Sequence, residues 1–129
     1  MTIIDHLSVG VSDLHQAETF YEPVLGELDV ATLAKSDMFL AFGQQRVEFL
    51  AMLPNDGSAH SCGNGTHICF AAPSRDAVDS FYREALKNGG TCEGKPGPRD
   101  AYPIPDVYAC FVRDPFGNKL EAIHNGFSQ

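Results

Sequence analysis

Polar and apolar residues alternate near the start of the chain. Leu7, Val9 and Val11 fall on one face of an extended segment at 3–11, and His6 falls on the opposite face. A period of two residues is typical of a β-strand with one covered face. The pattern therefore predicts a first strand over 3–11.

A helical period follows this strand. Asp13 has the short acceptor side chain of an N-cap, Gln16 stands three residues later, and apolar residues recur at helical spacing over 14–24. Pro23 lies inside this pattern and has no backbone N–H, so we expect the helix to kink or to stop near 21–22.

Extended segments and turns make up the rest of the first half. Three apolar runs at about 28–34, 37–43 and 46–53 are separated by short polar turns, which predicts an antiparallel meander. The segment 55–65 is rich in Gly, Ser, Asn and Asp, and we interpret it as a linker.

The second half repeats the first. A strand at 66–72 precedes Ser74, an N-cap residue, and an amphipathic helix that Asn88 and two glycines terminate. A shift of 61 residues superposes four pairs: His6 on His67, Phe20 on Phe81, Tyr21 on Tyr82 and Leu25 on Leu86. The chain therefore contains an internal repeat.

Three extended pieces complete the second half. They lie at about 91–93, 107–113 and 118–124, with a Gly- and Pro-rich loop at 94–105 and a predicted type I turn at 114–117.

Each half thus has the order strand, helix and three strands, and neither half could bury a sheet face alone. We predict one α+β domain over 1–129. Its modules lie at about 1–54 and 66–125, their sheets stand side by side around a cleft, and the helices cover the outside.

The net charge of the chain limits the kinds of molecule that it is expected to bind. The 129 residues include 9 Lys and Arg against 17 Asp and Glu, a formal net charge of −8. A chain so acidic offers no basic surface for phosphates, which argues against nucleic acid and anionic membranes as partners. No apolar run approaches the roughly 20 residues of a membrane span, and no signal peptide is evident, so we predict a cytoplasmic protein.

The cysteines do not form a recognisable framework. They stand at 62, 69, 92 and 110 without a Cys-x-x-Cys pair, and free thiols are expected. Cys69 and Cys110 lie within apolar runs, where a thiol usually acts as a small buried hydrophobe.

Four metal-ligand side chains occupy corresponding parts of the two halves. His6 and His67 lie on the first strands, and Glu48 and Glu121 lie on the last strands, each opposite apolar neighbours. All four could therefore point into one cleft. Two neutral imidazoles and two carboxylates suit Zn, Ni, Fe, Mn or Co, and an octahedral ion would keep two positions for water or substrate.

Four further residues are candidates for substrate contact. The loop 94–105 is long enough to act as a flap, and Tyr102 is its best candidate contact. Arg99 could bind an anionic substrate, as could Arg46. Tyr108 could line the cleft.

Four segments carry a resemblance to one superfamily. They are Ile-Asp-His-Leu-Ser-Val-Gly-Val-Ser-Asp-Leu (4–14), Phe-Tyr-Glu-Pro-Val-Leu-Gly (20–26), Gly-Thr-His-Ile-Cys-Phe-Ala-Ala (65–72) and Phe-Val-Arg-Asp-Pro-Phe-Gly-Asn-Lys-Leu-Glu-Ala-Ile (111–123). On these segments the whole chain resembles the vicinal oxygen chelate superfamily, which groups glyoxalase I, bleomycin resistance proteins and extradiol dioxygenases. The resemblance implies paired βαβββ modules and a divalent metal held by His6, Glu48, His67 and Glu121.

The resemblance also implies a reaction class. Family members chelate a small substrate through neighbouring oxygens, which favours a metal-dependent isomerase or lyase similar to lactoylglutathione lyase. Glu121 or Glu48 would act as the base, and the sequence does not choose between them. A metal-free drug-binding protein and a ferrous extradiol dioxygenase are the alternatives. Short chains of this kind often assemble their sites across a homodimer.

Overall fold

Two helices and eight strands form within residues 2–129, the part of the chain that the computed structural model describes. In chain order they are β1 (Leu7–Gly10), α1 (Leu14–Gly26), β2 (Ala31–Lys35), β3 (Phe39–Gly43), β4 (Phe49–Met52), β5 (Ile68–Ala71), α2 (Arg75–Lys87), β6 (Thr91–Pro98), β7 (Tyr108–Arg113) and β8 (Lys119–His124). The order of strand, helix and three strands occurs twice, so the predicted paired α+β modules are confirmed.

The strands form two sheets of the same topology. Their orders are β1-β4-β3-β2 and β5-β8-β7-β6. In each sheet the first strand pairs in parallel with the last, and the remaining pairs are antiparallel. The meander predicted for the first half is therefore present, and the first strand of each module lies at a sheet edge.

The two helices begin at the predicted caps. The Asp13 carboxylate accepts a hydrogen bond from the Gln16 N–H at 2.8 Å, and the Ser74 hydroxyl accepts one from the Ala77 N–H at 3.0 Å. Neither helix is long and apolar enough to cross a membrane, and no other helix occurs in residues 2–129.

The expectation that α1 stops near 21–22 is wrong. Helix α1 continues through Pro23 to Gly26. The side chains of Tyr21, Val24 and Leu25 are all buried, so the last turn lies against the core on both sides of the proline. This packing outweighs the cost of a proline in the helix, which is about 3 kcal/mol.

The second correction concerns the Gly- and Pro-rich segment after α2. Strand β6 extends from Thr91 to Pro98 instead of ending near 93, and the irregular loop is reduced to about 99–107. The pairing of β6 with β7 shifts register twice, once at Gly94 and once before Gly97. These irregularities accommodate residues that a regular strand disfavours.

A single core joins the two modules. Helix α1 packs on the first sheet, α2 packs on the second, and the two helices contact each other. The rings of Phe49 on β4 and Phe70 on β5 meet edge to face with their centroids 5.1 Å apart. The helices therefore lie between the sheets in this shared core, and the expectation that they cover the outside of one cleft is wrong. The opposite sheet faces point away from the core.

One buried polar contact links the modules. The Tyr21 hydroxyl on α1 donates a hydrogen bond to Asp114 in the β7–β8 turn. The Asp114 carboxylate also accepts from the backbone N–H groups of Phe116 and Asn118 at 2.9 and 2.8 Å, and Asn118 in turn donates to the Gly10 carbonyl at 2.9 Å. Burial and the neighbouring Asp114 charge hold the pKa of Tyr21 well above its usual range.

Replacing Tyr21 with Phe tests this link. The substitution removes one donor to a buried carboxylate, so we expect the free energy of unfolding to fall by about 2 kcal/mol. Urea denaturation measures the change. Tyr108→Phe is the matched control. The Tyr108 hydroxyl donates to Asp79 at 2.7 Å near the surface, and its loss should cost under about 1 kcal/mol. An equal loss in both variants would contradict this account of the link.

Candidate functional site

Glu121 lies on the face of the second sheet that points away from α2. On β7 the side chains of Cys110 and Val112 join the shared core, so those of Ala109 and Phe111 face the other way, with Glu121. This open face is partly covered by the loop after β6, whose Tyr102 and Ile104 pack against Val107, Ala109 and Ile123. Glu121 is consequently fully buried.

Both carboxylate oxygens of Glu121 have partners. His67 Nε2 lies 3.1 Å from Oε1, and the Tyr102 hydroxyl donates to Oε2 at 2.6 Å. Burial is the largest cause that raises the pKa of Tyr102, followed by its hydrogen bond to Glu121. The predicted substrate-contact residue Tyr102 thus holds a predicted metal ligand in place.

Cys69 also belongs to this cluster, although its sequence context favoured an inert buried thiol. It is the direct register partner of Glu121 in the β5–β8 pair. The residue is exposed, which corrects the expectation of a buried thiol, but desolvation at its sulfur raises its pKa, and the charge and hydrogen bond of Glu121 raise it further. A thiol two residues after His67 on a period-two strand shares its face, and that spacing was the available signal.

The first-module candidates lie in a more exposed setting. His6 and Glu48 are both exposed. His6 Nδ1 contacts the Asp5 carboxylate at 2.6 Å, which lowers the pKa of Asp5 through a hydrogen bond and through the histidine charge. Glu48 Oε2 accepts a long hydrogen bond of 3.4 Å from the Gln44 N–H.

The strand registers show that Glu48 and Glu121 do not occupy equivalent positions in the two modules, contrary to the sequence prediction. Leu7 pairs with Phe49 on β4, and its repeat equivalent Ile68 pairs with Leu120 on β8. The module-one position equivalent to Glu121 is therefore Leu50, and Glu48 corresponds to Lys119 instead. The offset is two residues, about 7 Å along a strand.

The four predicted ligands do not converge within one chain. His67 and Glu121 form a close pair, whereas His6 and Glu48 lie on the other sheet. Among residues 2–129, no group of three or more His, Cys, Asp and Glu side chains is arranged to hold a metal ion. One chain therefore presents two separate donor pairs on two open faces.

The other substrate-contact candidates divide between two faces. Arg99 lies over the ring of Phe111, with its guanidinium carbon 5.7 Å from the ring centroid, on the Glu121 face. Tyr108 lies on the α2 side of the sheet, where its hydroxyl bonds Asp79 and its ring lies under Arg75. The structure thus brings Arg99 to the site and does not bring Tyr108 there.

Arg46 lines a cavity together with Glu48 and Cys69. Its guanidinium donates to the Asp5 carbonyl at 2.9 Å. The cavity it lines has a volume of about 470 Å³ and lies between the first sheet and strand β5.

Comparison with known proteins identifies the family. A family model of the Glyoxalase/Bleomycin resistance protein/Dioxygenase superfamily matches residues 3–122. The chain belongs to this superfamily, as its sequence motifs predicted.

Individual relatives agree with this assignment. The virulence protein STM3117 of Salmonella typhimurium is 32% identical over 127 residues, which cover 92% of this chain and 81% of that protein. A lactoylglutathione lyase of Arabidopsis thaliana is 28% identical, and the match covers 94% of this chain but 44% of the plant protein. The crystal structure of a glyoxalase/bleomycin resistance protein from Albidiferax ferrireducens T118 is 33% identical with a TM-score of 0.88, covering 97% of this chain and 100% of that one.

The reactivity of Cys69 tests the arrangement around Glu121. Because the raised pKa keeps the thiol protonated, we expect slow alkylation of Cys69 by iodoacetamide at pH 8. Glu121→Gln removes a negative charge beside the sulfur, so the pKa should fall and alkylation should become several-fold faster. Peptide mass spectrometry follows the rate at each cysteine. The exposed Cys92 is the internal control, and an equal acceleration at both cysteines would argue against a local effect of Glu121.

Proposed function

We propose that this protein is a metal-dependent enzyme that acts on a small substrate with neighbouring oxygens and catalyses an isomerase or lyase reaction. Its site would combine His67 and Glu121 of one copy with His6 and Glu48 of a second copy. The observation that carries the proposal is the close pair of His67 and Glu121 on an open sheet face. The four cysteine thiols are free, which suits a reducing cytoplasm.

The His67–Glu121 pair fits half of a divalent metal site. The imidazole nitrogen and the carboxylate oxygen already lie 3.1 Å apart, so one ion could contact both. The Tyr102 hydroxyl donates a hydrogen bond to the second carboxylate oxygen of Glu121 and so fixes the orientation of this carboxylate. Such outer hydrogen bonds commonly orient the ligands of metal sites.

The missing half of the site favours a dimer. The two donor pairs lie on different sheets, and among residues 2–129 no three His, Cys, Asp or Glu side chains are arranged to hold one metal ion. A second copy related by a twofold axis would present His6 to His67 and, by symmetry, His67 to His6. Two equivalent sites would result.

The register offset assigns different roles to the two glutamates. Glu121 is fully buried and held by two partners, which suits a fixed ligand. Glu48 is exposed and lies two positions from the place equivalent to Glu121. A carboxylate that is not bound to the metal is free to accept a proton from the substrate. We therefore assign Glu48 as the general base and Glu121 as a metal ligand.

The metal would supply electrostatic stabilisation of the negative charge that develops on the substrate oxygens. Glu48 would then move a proton between adjacent carbons of the substrate, and the loop carrying Tyr102 would exclude water from Glu121. The name of the Arabidopsis relative, a lactoylglutathione lyase, supports this reaction class.

The exposed and offset position of Glu48 also favours a second candidate function. With Glu48 off the metal, as in the first candidate, the ligands would be His6, His67 and Glu121. Two histidines and one carboxylate with open positions are the ligand set of many ferrous oxygenases. A ferrous dioxygenase is therefore the alternative, and the identity of the bound metal separates the two candidates.

Metal content provides the first test of the proposal. Protein purified without an affinity tag should contain close to one transition metal ion per chain by mass spectrometry. His67→Ala and Glu121→Ala should lose it, because each removes a donor. His15→Ala is the control, since His15 lies exposed on α1 away from both faces. No metal in the wild type after incubation with nickel, zinc, manganese and ferrous iron would contradict the enzyme and favour a metal-free binding protein.

Mixed dimers provide the test of a shared site. His6→Ala and His67→Ala chains should each fail to bind metal alone. In a mixed dimer, His6 of one chain and His67 of the other complete one site. Co-expression with random pairing should therefore restore about a quarter of the wild-type metal content. No restoration in a verified mixed dimer would argue for a site within one chain.

A further inference from the structure

Two cationic side chains lie over one aromatic ring beside Glu121. The Lys119 ammonium is 5.2 Å from the centroid of the Phe111 ring, and the Arg99 guanidinium carbon is 5.7 Å from it. Phe111 is the direct cross-strand partner of Glu121 in the β7–β8 pair. Lys119 is two residues before Glu121 on β8, so its side chain shares the sheet face of Glu121 and Phe111.

Backbone hydrogen bonds fix the position of the Arg99 guanidinium. Its guanidinium donates to the backbone carbonyls of Lys95 at 2.5 Å and of Pro98 at 3.2 Å. It lies over two glycines of β6: an added Cβ at Gly94 would approach Nη2 to 3.4 Å, and one at Gly97 would approach Nη1 to 3.4 Å. The absence of side chains at these two positions leaves room for the guanidinium to lie flat against the strand.

Neither cation has an acidic partner. No carboxylate of residues 2–129 forms an ion pair with Arg99 or Lys119. Glu93 is already bound by Arg113 at 2.5 Å, and this hydrogen bond and the Arg113 charge lower the Glu93 pKa, with a smaller contribution from the Lys119 charge. A ring attracts a cation by about 0.5–1 kcal/mol at an exposed site but does not neutralise its charge.

What distinguishes Arg99 and Lys119 is their convergence. Among residues 2–129 only Lys35 and Arg113 of the 9 Lys and Arg residues form ion pairs with carboxylates, so an unpaired cation is common in this chain. Arg99 and Lys119, however, both lie over one ring beside the candidate site, and two neighbouring positive charges attract an anion.

We propose that Arg99 and Lys119, placed over Phe111, form an oxyanion-binding subsite that selects substrates carrying a carboxylate or phosphate in addition to their neighbouring oxygens. The subsite rests on the proposed function for its role in the reaction, but not for its ability to bind an anion. The Phe111 ring provides an apolar surface between the subsite and Glu121. This surface suits a substrate whose anionic group and neighbouring oxygens are linked by a planar or short carbon skeleton.

Anion binding by the metal-free protein tests the subsite itself. Calorimetric titration with inorganic phosphate at low ionic strength should detect binding to the wild type. The Arg99→Gln/Lys119→Gln double variant should bind at least about tenfold more weakly, because two charged donors are lost. Lys87→Gln on α2 is the control for net charge and should bind as the wild type does. Phosphate binding that is absent, or equal in wild type and double variant, would overturn the proposal.

A matched pair of chelating probes tests whether the subsite serves the metal site. Catechol and 3,4-dihydroxybenzoate share the same oxygen pair, and one of them adds a carboxylate. The zinc-loaded wild type should prefer the carboxylate by about tenfold, and Arg99→Gln or Lys119→Gln should remove this preference while leaving catechol affinity unchanged. A preference that survives both substitutions would overturn the substrate assignment.

The phosphate titration and the chelating probes together distinguish failure of the subsite from failure of the proposed function. His67→Ala should lose zinc and keep its phosphate affinity. If the wild type binds no metal but its phosphate affinity falls in the double variant, the enzyme proposal fails and the anion subsite stands.

Discussion

The structure depends on one constraint: the chain has two sheets and only two helices with which to cover four sheet faces. Each helix covers one face of its own sheet, and the covered faces meet in a single core, where Phe49 contacts Phe70 and Tyr21 contacts Asp114. The other two faces must be covered by a loop, a ligand or another molecule. His67, Glu121, Tyr102 and Arg99 lie on or at the margin of the open face of the second sheet, whereas the candidate Tyr108 lies on its helix-covered face.

The second open face shows how a partly covered sheet can hold a buried charge. Glu121 is fully buried, yet it lies beside His67 and Tyr102 instead of within the main core. A buried carboxylate without partners would be costly, so the loop that carries Tyr102 both removes water and supplies the compensating donor. The same loop begins at Arg99, which places a cation close to the carboxylate without an ion pair between them. This combination of a held carboxylate and an unpaired cation is the chemical character of the site.

The two halves are similar in topology but differ in chemistry. A shift of two residues in strand pairing places Leu50, not Glu48, at the position equivalent to Glu121. The second module therefore has a buried carboxylate and a lysine where the first has a leucine and an exposed carboxylate. The two glutamates therefore differ in their surroundings: Glu121 is buried and held by His67 and Tyr102, whereas Glu48 is exposed.

The sequence by itself determined the secondary structure order, the caps at Asp13 and Ser74, the internal repeat and the superfamily, because these follow from local spacing and from short motifs. It also predicted His67, Glu121, Tyr102 and Arg99 as site residues, and the structure brings these side chains to one sheet face. It could not determine that Glu48 is offset from its supposed equivalent, because a slip of two residues keeps every side chain on the same face. Tertiary packing alone decided that α1 continues through Pro23 and that the helices meet between the sheets. Those outcomes depend on which apolar faces bury each other, and contacts between residues far apart in the chain leave no local pattern to read.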